Sequence, residues 1–440
     1  MKTSDFLLSF FLIAIILTFI KASQFVSRRF DLPDVLGELL VGIILGPTAL
    51  GVLYLAETPT SSLGLVLGIS QENLVGTARI ITFISEFAVL LLLFKVGLEV
   101  DFEDLKRVRT PAVITATTGI LLPLIGGVVF VLGIFGIGFI ELFPAETDIW
   151  QTAVFVGIIL TATSIGISTR IFCDCDRLRS RVAQTVVCSA IFDDIIAVAL
   201  FSIIVAYFGS AGSFNPLGLP IILLNIIMFF AISYLLYRYI LPFFFSKING
   251  NGDKSLPIFV SIGFMLYMAT LAQALGLAPI IGAFMAGVII GNEEGFLDVN
   301  RDFEPISSWV IPFFFLTIGL GVNLVNIWNF FIIILALILV SIAILTKHLA
   351  GIIGTKVSGY SKGESRIVGL SMAARGEVTL FFAYTGFSLG YFTQAFYGVL
   401  ILSVILIPFI VIPLLKSTIM KWIPEQRENE TLEEISCNMK

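Results

Sequence analysis

The sequence predicts an all-α polytopic membrane protein, and three observations lead to that prediction. Of the 440 residues, 58% are hydrophobic and 13% are charged, whereas about a quarter of the residues are charged in soluble domains. The mean hydropathy is +1.03. Apolar stretches of about 20 residues, long enough for a helix to cross a bilayer, recur along the whole chain. Such a chain has too little charged surface for a soluble enzyme, a nucleic-acid-binding protein or a disordered scaffold.

The apolar segments are predicted to be helices, because they lack the alternating ten-residue pattern of barrel strands. We predict thirteen spans, at about 6–20, 35–54, 79–99, 111–135, 151–172, 182–208, 217–240, 257–276, 278–292, 305–323, 326–357, 365–390 and 396–420. Only Leu277 separates the eighth span from the ninth. Merging these two spans would change the number of spans from odd to even.

The distribution of basic residues predicts an N-terminus outside the cell and a C-terminus in the cytoplasm. With that orientation, 21 of the 26 lysines and arginines fall on the cytoplasmic side, two fall on the other side and three lie inside spans. Basic residues accumulate in cytoplasmic loops, so the asymmetry supports this topology. The polar, acidic residues 421–440 are too few to fold as a domain and are expected to form a short, disordered cytoplasmic tail.

The adjacent aspartates Asp193 and Asp194 of the sixth span are the sharpest candidates for a function. Ionisable side chains inside a span are costly and usually mark a transport route or an ion pair. At a rise of about 1.5 Å per residue, Asp193 lies roughly 16 Å from the cytoplasmic end of its span, and Lys347 of the eleventh span lies at roughly 15 Å. We therefore expect Lys347 to pair with one aspartate. The other faces a water-filled cavity, because neighbouring helix positions point about 100° apart, and it can exchange a proton for a metal cation.

Two further spans carry polar interruptions. The fifth contains Thr163 and Ser164 within TATSIGIST, and the twelfth contains Arg375, Gly376 and Glu377 within AARGEV. A glycine between opposite charges predicts a broken helix, in which the arginine offsets exposed carbonyl groups and the glutamate offsets exposed amide groups. The two spans are seven apart and so run in opposite directions. This arrangement is typical of an inverted-topology repeat with helices crossing at the midplane, although the sequence shows no convincing self-similarity.

A charged pair, the single histidine and the cysteines are interpreted as structural. Lys95 and Glu99 lie four residues apart near the cytoplasmic end of the third span and are expected to pair on one helix face. His348 is expected to pack or to lie at the interface rather than to sense pH. The four cysteines form neither a disulfide framework nor a convincing metal site.

Six stretches, which run over most of the chain, carry a resemblance to a known family. They are GELLVGIILGPTALG (37–51), EFAVLLLLFKVGLEVD (86–101), TATSIGIST (161–169), the DD of the sixth span, FFFLTIGLGVN (313–323) and ARGEV (374–378). In this combination the chain resembles the monovalent cation:proton antiporter-2 family, which covers bacterial sodium/proton antiporters and the membrane half of Kef-type potassium efflux systems. Kef systems usually have Gln-Asp where this chain has two aspartates, so the pair resembles the electrogenic sodium/proton subclass.

The resemblance implies the sodium/proton antiporter fold within a transmembrane domain over 1–420. It implies a core domain, at about 79–208 and 305–390, that binds the ion. It also implies a dimerisation scaffold, at about 1–78 and 217–292, and hence a homodimer. No cofactor is implied.

The resemblance also implies roles for single residues. Asp194 corresponds to the ion-binding carboxylate, and Asp193 corresponds to the partner of Lys347, so that the two aspartates are the expected ligands of Na+. The residues of the two crossing helices are expected to be Thr163 and Ser164 at one polar break, and the charged Arg375 and Glu377 at the other.

The resulting hypothesis is a secondary active antiporter, not an enzyme, that exchanges Na+ or Li+ for protons by alternating access. It is expected in a lipid bilayer, either a bacterial cell membrane or a thylakoid-type membrane, without a nucleic-acid partner. A K+/H+ antiporter of Kef type without the regulatory nucleotide-binding domain is the closest alternative, since both cations are coordinated by oxygen. A cation channel is an alternative from another class. An intramembrane aspartyl protease is disfavoured, because its two aspartates must face one scissile bond from different helices.

Overall fold

The computed structural model describes residues 3–30, 32–46, 71–100, 109–144, 148–175, 177, 180–209, 218–240, 256–293, 299–323 and 329–438. Every regular element in these ranges is a helix. Eight helical segments of the described chain, one of them interrupted (Lys362–Ser388), are long and apolar enough to cross a membrane, and three further apolar helices are shorter. The prediction of an all-α, multi-pass membrane protein is therefore confirmed.

The chain divides into two compact units, and one helix, Arg181–Gly209, begins in the second unit and ends in the first. The first unit comprises Met1–Phe102 and Val198–Asn326, and the second comprises Glu103–Ala197 and Ile327–Lys440. The helices of the first unit are α1 (Thr3–Arg29), α2 (Asp34–Leu45), α3 (Gln71–Leu98), α7 (Gly218–Leu235, continued by a π-helical turn, Leu236–Ile240), α8 (Leu256–Ala274), α9 (Pro279–Gly291) and α10 (Val299–Leu320). Those of the second unit are α4 (Arg109–Ile137), α5a (Ile149–Ile159), α5b (Ile165–Asp174), α6 (Arg181–Gly209), α11 (Phe330–Val357), α12a (Lys362–Met372), α12b (Glu377–Ser388) and α13 (Gln394–Asn438), with a short 3-10 turn at Ile140–Leu142.

Each of the thirteen predicted spans overlaps one of these helices, and the fifth and twelfth overlap a pair of half-helices. The predicted boundary between the eighth and ninth spans is confirmed, because a turn that contains Gly276 at a φ of +71° separates α8 from α9. One expectation is wrong: α13 continues to Asn438, so the backbone of the segment expected to be disordered is helical. Part of the second predicted span, residues 47–54, lies outside the described residues.

The two units do not coincide with the expected grouping of helices. The third and tenth predicted spans, at 79–99 and 305–323, were grouped with the ion-binding helices, whereas α3 and α10 belong to the first unit. All the candidate site residues lie in the second unit. The roles of the two groups as core and dimerisation scaffold stay a prediction.

Glycines allow two helix pairs of the first unit to approach closely, and the two contacts have the same form. A methyl group on Gly97 of α3 would lie 2.2 Å from the carbonyl oxygen of Phe284 on α9, and one on Gly287 would lie 2.1 Å from that of Phe94. Helices α2 and α10 have the same contact. A methyl group on Gly42 would lie 2.2 Å from the carbonyl oxygen of Leu316, and one on Gly319 would lie 2.3 Å from that of Leu39. Small residues let membrane helices pack backbone against backbone. The same reciprocal contact therefore occurs twice in the first unit.

The second unit places its broken helices at its centre. Both halves of α12 lie within Lys362–Ser388, and 83% of the residues in the most apolar stretch of this segment are buried. In the corresponding stretch of α4, 33% of the residues are buried. The outward face of α4 carries Leu121, Ile125 and Val129 at helical spacing, each more than half exposed, as expected of a face in contact with lipid. Helix α12 is therefore largely buried within the unit, whereas α4 presents an apolar outer face.

Candidate ion-binding site

Both predicted interruptions are present, and they lie against each other in the second unit. Helix α5 stops at Ile159 and resumes at Ile165, and helix α12 stops at Met372 and resumes at Glu377. The Ser164 backbone N–H donates to the Ala374 carbonyl oxygen over 2.9 Å. The Ser168 hydroxyl donates to the Ser371 carbonyl oxygen over 2.8 Å. These bonds supply partners for backbone groups that the helix ends leave open, which apolar surroundings would make costly.

Gly376 makes the close crossing possible. A methyl group at this position would lie 2.7 Å from the Ser164 hydroxyl oxygen and 2.9 Å from its Cβ, which is closer than van der Waals contact allows. The space between the two breaks is therefore too narrow for any side chain at this position of the ARGEV motif, which explains why the residue is glycine.

The charges beside the second break have the arrangement expected from the sequence. Arg375 is 1% exposed, and its Nη1 donates to the carbonyl oxygen of Ala162, just beyond the C-terminal end of α5a. Glu377 opens the first turn of α12b and accepts a hydrogen bond of 3.4 Å from the Ser164 hydroxyl. A cation at a helix C-terminus and an anion at a helix N-terminus both oppose the helix dipole, so each charge stabilises a broken end.

Asp193 and Lys347 form an ion pair inside the unit. The Lys347 ammonium donates to Asp193 Oδ2, and both side chains are 0% exposed. The same oxygen accepts a hydrogen bond of 3.0 Å from the Thr163 hydroxyl, which also lies 3.3 Å from the Met372 carbonyl oxygen. Thr163 thus connects the ion pair of α6 and α11 to both interruptions.

Gly119 of α4 borders this ion pair and is a site residue that the sequence reasoning missed. A methyl group on Gly119 would lie 3.2 Å from Asp193 Oδ1 and 3.4 Å from the Lys347 ammonium. Asp193 Oδ1 is buried and has no hydrogen-bond partner among the described residues. A glycine in the middle of an apolar helix gives no signal in a single sequence, because its position depends on which helix faces it.

Asp194 is the second buried carboxylate of the site, at 2% exposure. It lies close enough to the Lys347 ammonium to attract it, and Arg375 in turn interacts electrostatically with Asp193. The structure therefore brings both aspartates, the lysine, the arginine and Thr163 into one cluster. Ser164 and Glu377 lie at the adjoining crossing point.

The formal charges of this buried cluster balance. Asp193 and Asp194 contribute two negative charges, and Lys347 and Arg375 contribute two positive charges, all from side chains no more than 2% exposed. An uncompensated buried charge costs several kcal/mol. With a proton on Asp194 the cluster carries one net positive charge, and exchange of that proton for a monovalent cation leaves the net charge unchanged. Oxygen atoms of carboxylates and hydroxyls are also the ligands that alkali cations prefer.

Two charged residues outside the cluster have partners that the sequence did not suggest. The Lys95 ammonium lies 2.6 Å from a carboxylate oxygen of Glu304 on α10, so its ion pair joins two helices, whereas a pair within α3 was expected. Glu38 is 4% exposed and accepts a hydrogen bond of 2.6 Å from Gln24 on α1. Both contacts lie in the first unit and position helices rather than site residues.

The fold and the site together define a class of protein. Two discontinuous helices that cross inside a helical membrane unit, with buried charges beside the breaks, are typical of secondary transporters. The comparisons with known proteins agree with this class. The chain belongs to the transmembrane sodium/hydrogen exchanger family, whose sequence profile matches residues 12–422.

Curated relatives match nearly the whole chain. It is 32% identical over 412 residues to the Na(+)/H(+)-K(+) antiporter GerN of Bacillus cereus, covering 93% of this chain and 96% of the relative. It is 31% identical over 396 residues to the Na(+)/H(+) antiporter of Enterococcus hirae, covering 90% and 94%. Among solved structures, the sodium proton antiporter MjNhaP1 of Methanocaldococcus jannaschii matches with a TM-score of 0.64 at 17% identity, covering 94% of this chain and 97% of that one. This structural match supports the fold.

Proposed function

We propose that the protein is a secondary active Na+/H+ antiporter that also accepts Li+ and works by alternating access. One observation carries this proposal: two carboxylates and two cationic groups of balanced charge are buried together where two broken helices cross. With Asp194 protonated, Na+ takes the place of the departing proton without changing the net charge of the cluster, and the reverse holds when a proton enters. Competition between the two ions for one site is sufficient for coupled exchange.

In this proposal Asp194 binds the transported ion and alternates between a proton and Na+. Asp193 is held by Lys347 and Thr163, so its charge is already compensated in the structure. The unbonded Oδ1 of Asp193 and the hydroxyls of Thr163 and Ser164 are the further oxygen ligands we propose for Na+. Arg375 and Glu377 hold the crossing point by stabilising the broken ends.

We further propose that the protein belongs to the antiporter-2 branch, as the sequence motifs imply, and that exchange is electrogenic. In this proposal thirteen spans place the N-terminus outside and the C-terminus in the cytoplasm of a bacterial cell membrane. The first unit, which lacks the candidate ion ligands, supplies the homodimer contacts. The strong cytoplasmic excess of lysine and arginine supports the orientation.

A K+/H+ antiporter is the second candidate function, because the printed name of the Bacillus cereus relative includes K+ as well as Na+. Carboxylate and hydroxyl oxygens coordinate both cations, and selectivity depends on cavity size and ligand field. A cation channel is favoured less, because a permeating ion would have to pass a buried cluster that already contains two compensating cations.

Exchange in liposomes tests the proposal. Protein is reconstituted with an acidic lumen, Na+, Li+ or K+ is added outside, and the luminal pH is followed. Rapid alkalinisation by Na+ or Li+ is expected from the wild type. A response to K+ alone would change the substrate, and the absence of any cation-coupled proton movement by folded protein would contradict antiport.

The variant Asp194→Asn separates the site assignment from the activity. It removes the exchangeable proton and one charge but keeps the side-chain shape, so exchange is expected to vanish while the protein stays folded. Asp302→Asn on α10, outside the cluster, is the matched control and should exchange at the wild-type rate. Full exchange by Asp194→Asn would overturn the assignment of Asp194.

A further inference from the structure

A cavity of the second unit is lined by none of the residues of the ion-binding cluster. It has a volume of about 450 Å³ and is lined by side chains of α11, α12a and α13. We call it the basic pocket, because its lining includes His348, Lys362, Arg366 and Lys421, beside Thr418. No aspartate or glutamate is among the described residues that line it. Within the described part of the chain, three permanent cations therefore share this wall with no acidic side chain.

The arrangement of these cations leaves them in need of a counter-charge. Lys362 and Arg366 lie four residues apart on α12a, where like charges repel each other. The carboxylate between them in sequence, Glu364, turns back to the start of the helix and accepts the Ser361 backbone N–H over 2.8 Å. The ion pairs found within the described ranges involve other residues. An anion in the pocket would relieve the repulsion.

The other side of the pocket is apolar and aromatic. Leu414 of α13 is 47% exposed at its edge, and Trp422 is 6% exposed in its wall. The Arg177 guanidinium lies 6.0 Å from the centre of the Trp422 ring and adds a fourth cation nearby. Tryptophan and basic residues together are typical of the level of the lipid head groups. The pocket thus combines a cationic wall with an apolar edge, as the phosphate and acyl chains of a lipid require.

We propose that the basic pocket binds a phosphate group, carried by the head group of an anionic phospholipid. Lys362, Arg366 and Lys421 donate charge-assisted hydrogen bonds to the phosphate oxygens, and the acyl chains pass over Leu414. Basic pockets between membrane helices are suited to such head groups. Inorganic phosphate offers the same charge and oxygen atoms without the acyl chains, so the two sources are separable by experiment. The proposal does not depend on which ions the protein transports.

Binding is tested with the purified full chain in detergent. Native mass spectrometry measures the retention of phosphatidylglycerol against phosphatidylcholine of equal chain length, and a parallel titration uses inorganic phosphate. The wild type is expected to retain phosphatidylglycerol preferentially. The variant K362Q/R366Q/K421Q is expected to weaken that retention roughly 100-fold, since each basic residue near an anionic lipid contributes about fivefold.

The control variant R170Q/K356Q/K416Q removes three positive charges that do not line the pocket and should retain the lipid as the wild type does. A site for soluble phosphate is supported instead if inorganic phosphate binds the wild type, the pocket variant loses it and neither lipid is preferred. Equal loss in both variants would overturn the pocket assignment. The measurement on the wild type also tests the proposal if a variant fails to fold. A wild type that neither prefers the anionic lipid nor binds phosphate would overturn the proposal.

Discussion

The buried ion pair between Asp193 and Lys347 gives the most specific prediction about the energetics of the site. Both side chains are completely buried. Each charge has therefore lost its hydration shell and is stabilised by the opposite charge and a few hydrogen bonds. Removing one member leaves a buried charge without its counter-charge, which typically costs 3 to 5 kcal/mol. The hydrogen bond of 3.0 Å from Thr163 would still stabilise Asp193 in the variant Lys347→Gln, so we expect a loss of about 3 kcal/mol for that change.

The double variant D193N/K347Q distinguishes loss of a counter-charge from loss of packing. Replacing both charges by amides of similar shape leaves no uncompensated charge, and such replacements are often nearly neutral. We therefore expect each single variant to lower the apparent melting temperature by about 3 °C or more, and the double variant to recover most of that loss. Midpoints are measured by size-exclusion chromatography after heating in detergent.

The variant Lys356→Gln provides the control for this cycle. It lies on the same helix, α11, at an exposed position, so the midpoint should stay within about 1 °C of the wild type. Losses in the double variant equal to the sum of the two single losses would refute the reasoning, because independent sites add. A single variant Lys347→Gln as stable as this control would refute it as well.

Four further outcomes are expected. Gly376→Ala should destabilise the protein by about 1–3 kcal/mol through the clash with Ser164, and adding Ser164→Gly should restore part of this loss in the same heating assay. Ser361→Ala removes a cap that holds the N-terminus of α12a and should lower stability by about 1 kcal/mol; an unchanged midpoint would contradict the cap. Lys95→Gln breaks an ion pair that is partly exposed to solvent and should cost less than about 1 kcal/mol. If protons and Na+ compete for Asp194, the Na+ concentration for half-maximal exchange should rise by up to about tenfold per unit of falling pH, and a constant value across pH would count against competition.

Local features of the sequence were sufficient to predict the class of fold and the two breaks. Apolar runs identify membrane helices because the bilayer has a fixed thickness and requires every backbone group to be bonded within the segment. The breaks are predicted by polar residues and glycine inside such runs, since these residue types are costly there without a special role. The charges beside the second break, Arg375 and Glu377, follow from the dipoles of the half-helices. All these signals lie within a few neighbouring residues.

Contacts between distant segments were harder to predict. Matching depth indicated that Lys347 meets an aspartate of α6, but side-chain direction depends on the rotation of each helix about its axis. Lys95 shows the limit most clearly: its spacing to Glu99 suggested a pair within one helix, whereas the partner in the structure is more than 200 residues away, at Glu304. Spacing along a helix identifies neighbours on the same helix, but a long side chain can also reach residues on other helices.

The sequence by itself determined that this protein is a multi-pass helical membrane protein with polar residues at one broken helix and charged residues at another. Hydrophobic length and polar residues inside apolar segments are properties of single segments. Only the tertiary structure decided that Thr163 bonds to Asp193, that Gly119 leaves space beside the ion pair, and that three cations of α12a and α13 converge on one pocket. Each of these depends on which helix faces which. In the membrane interior, such facing is set by close packing between small residues, and a single sequence does not display the partner of a glycine.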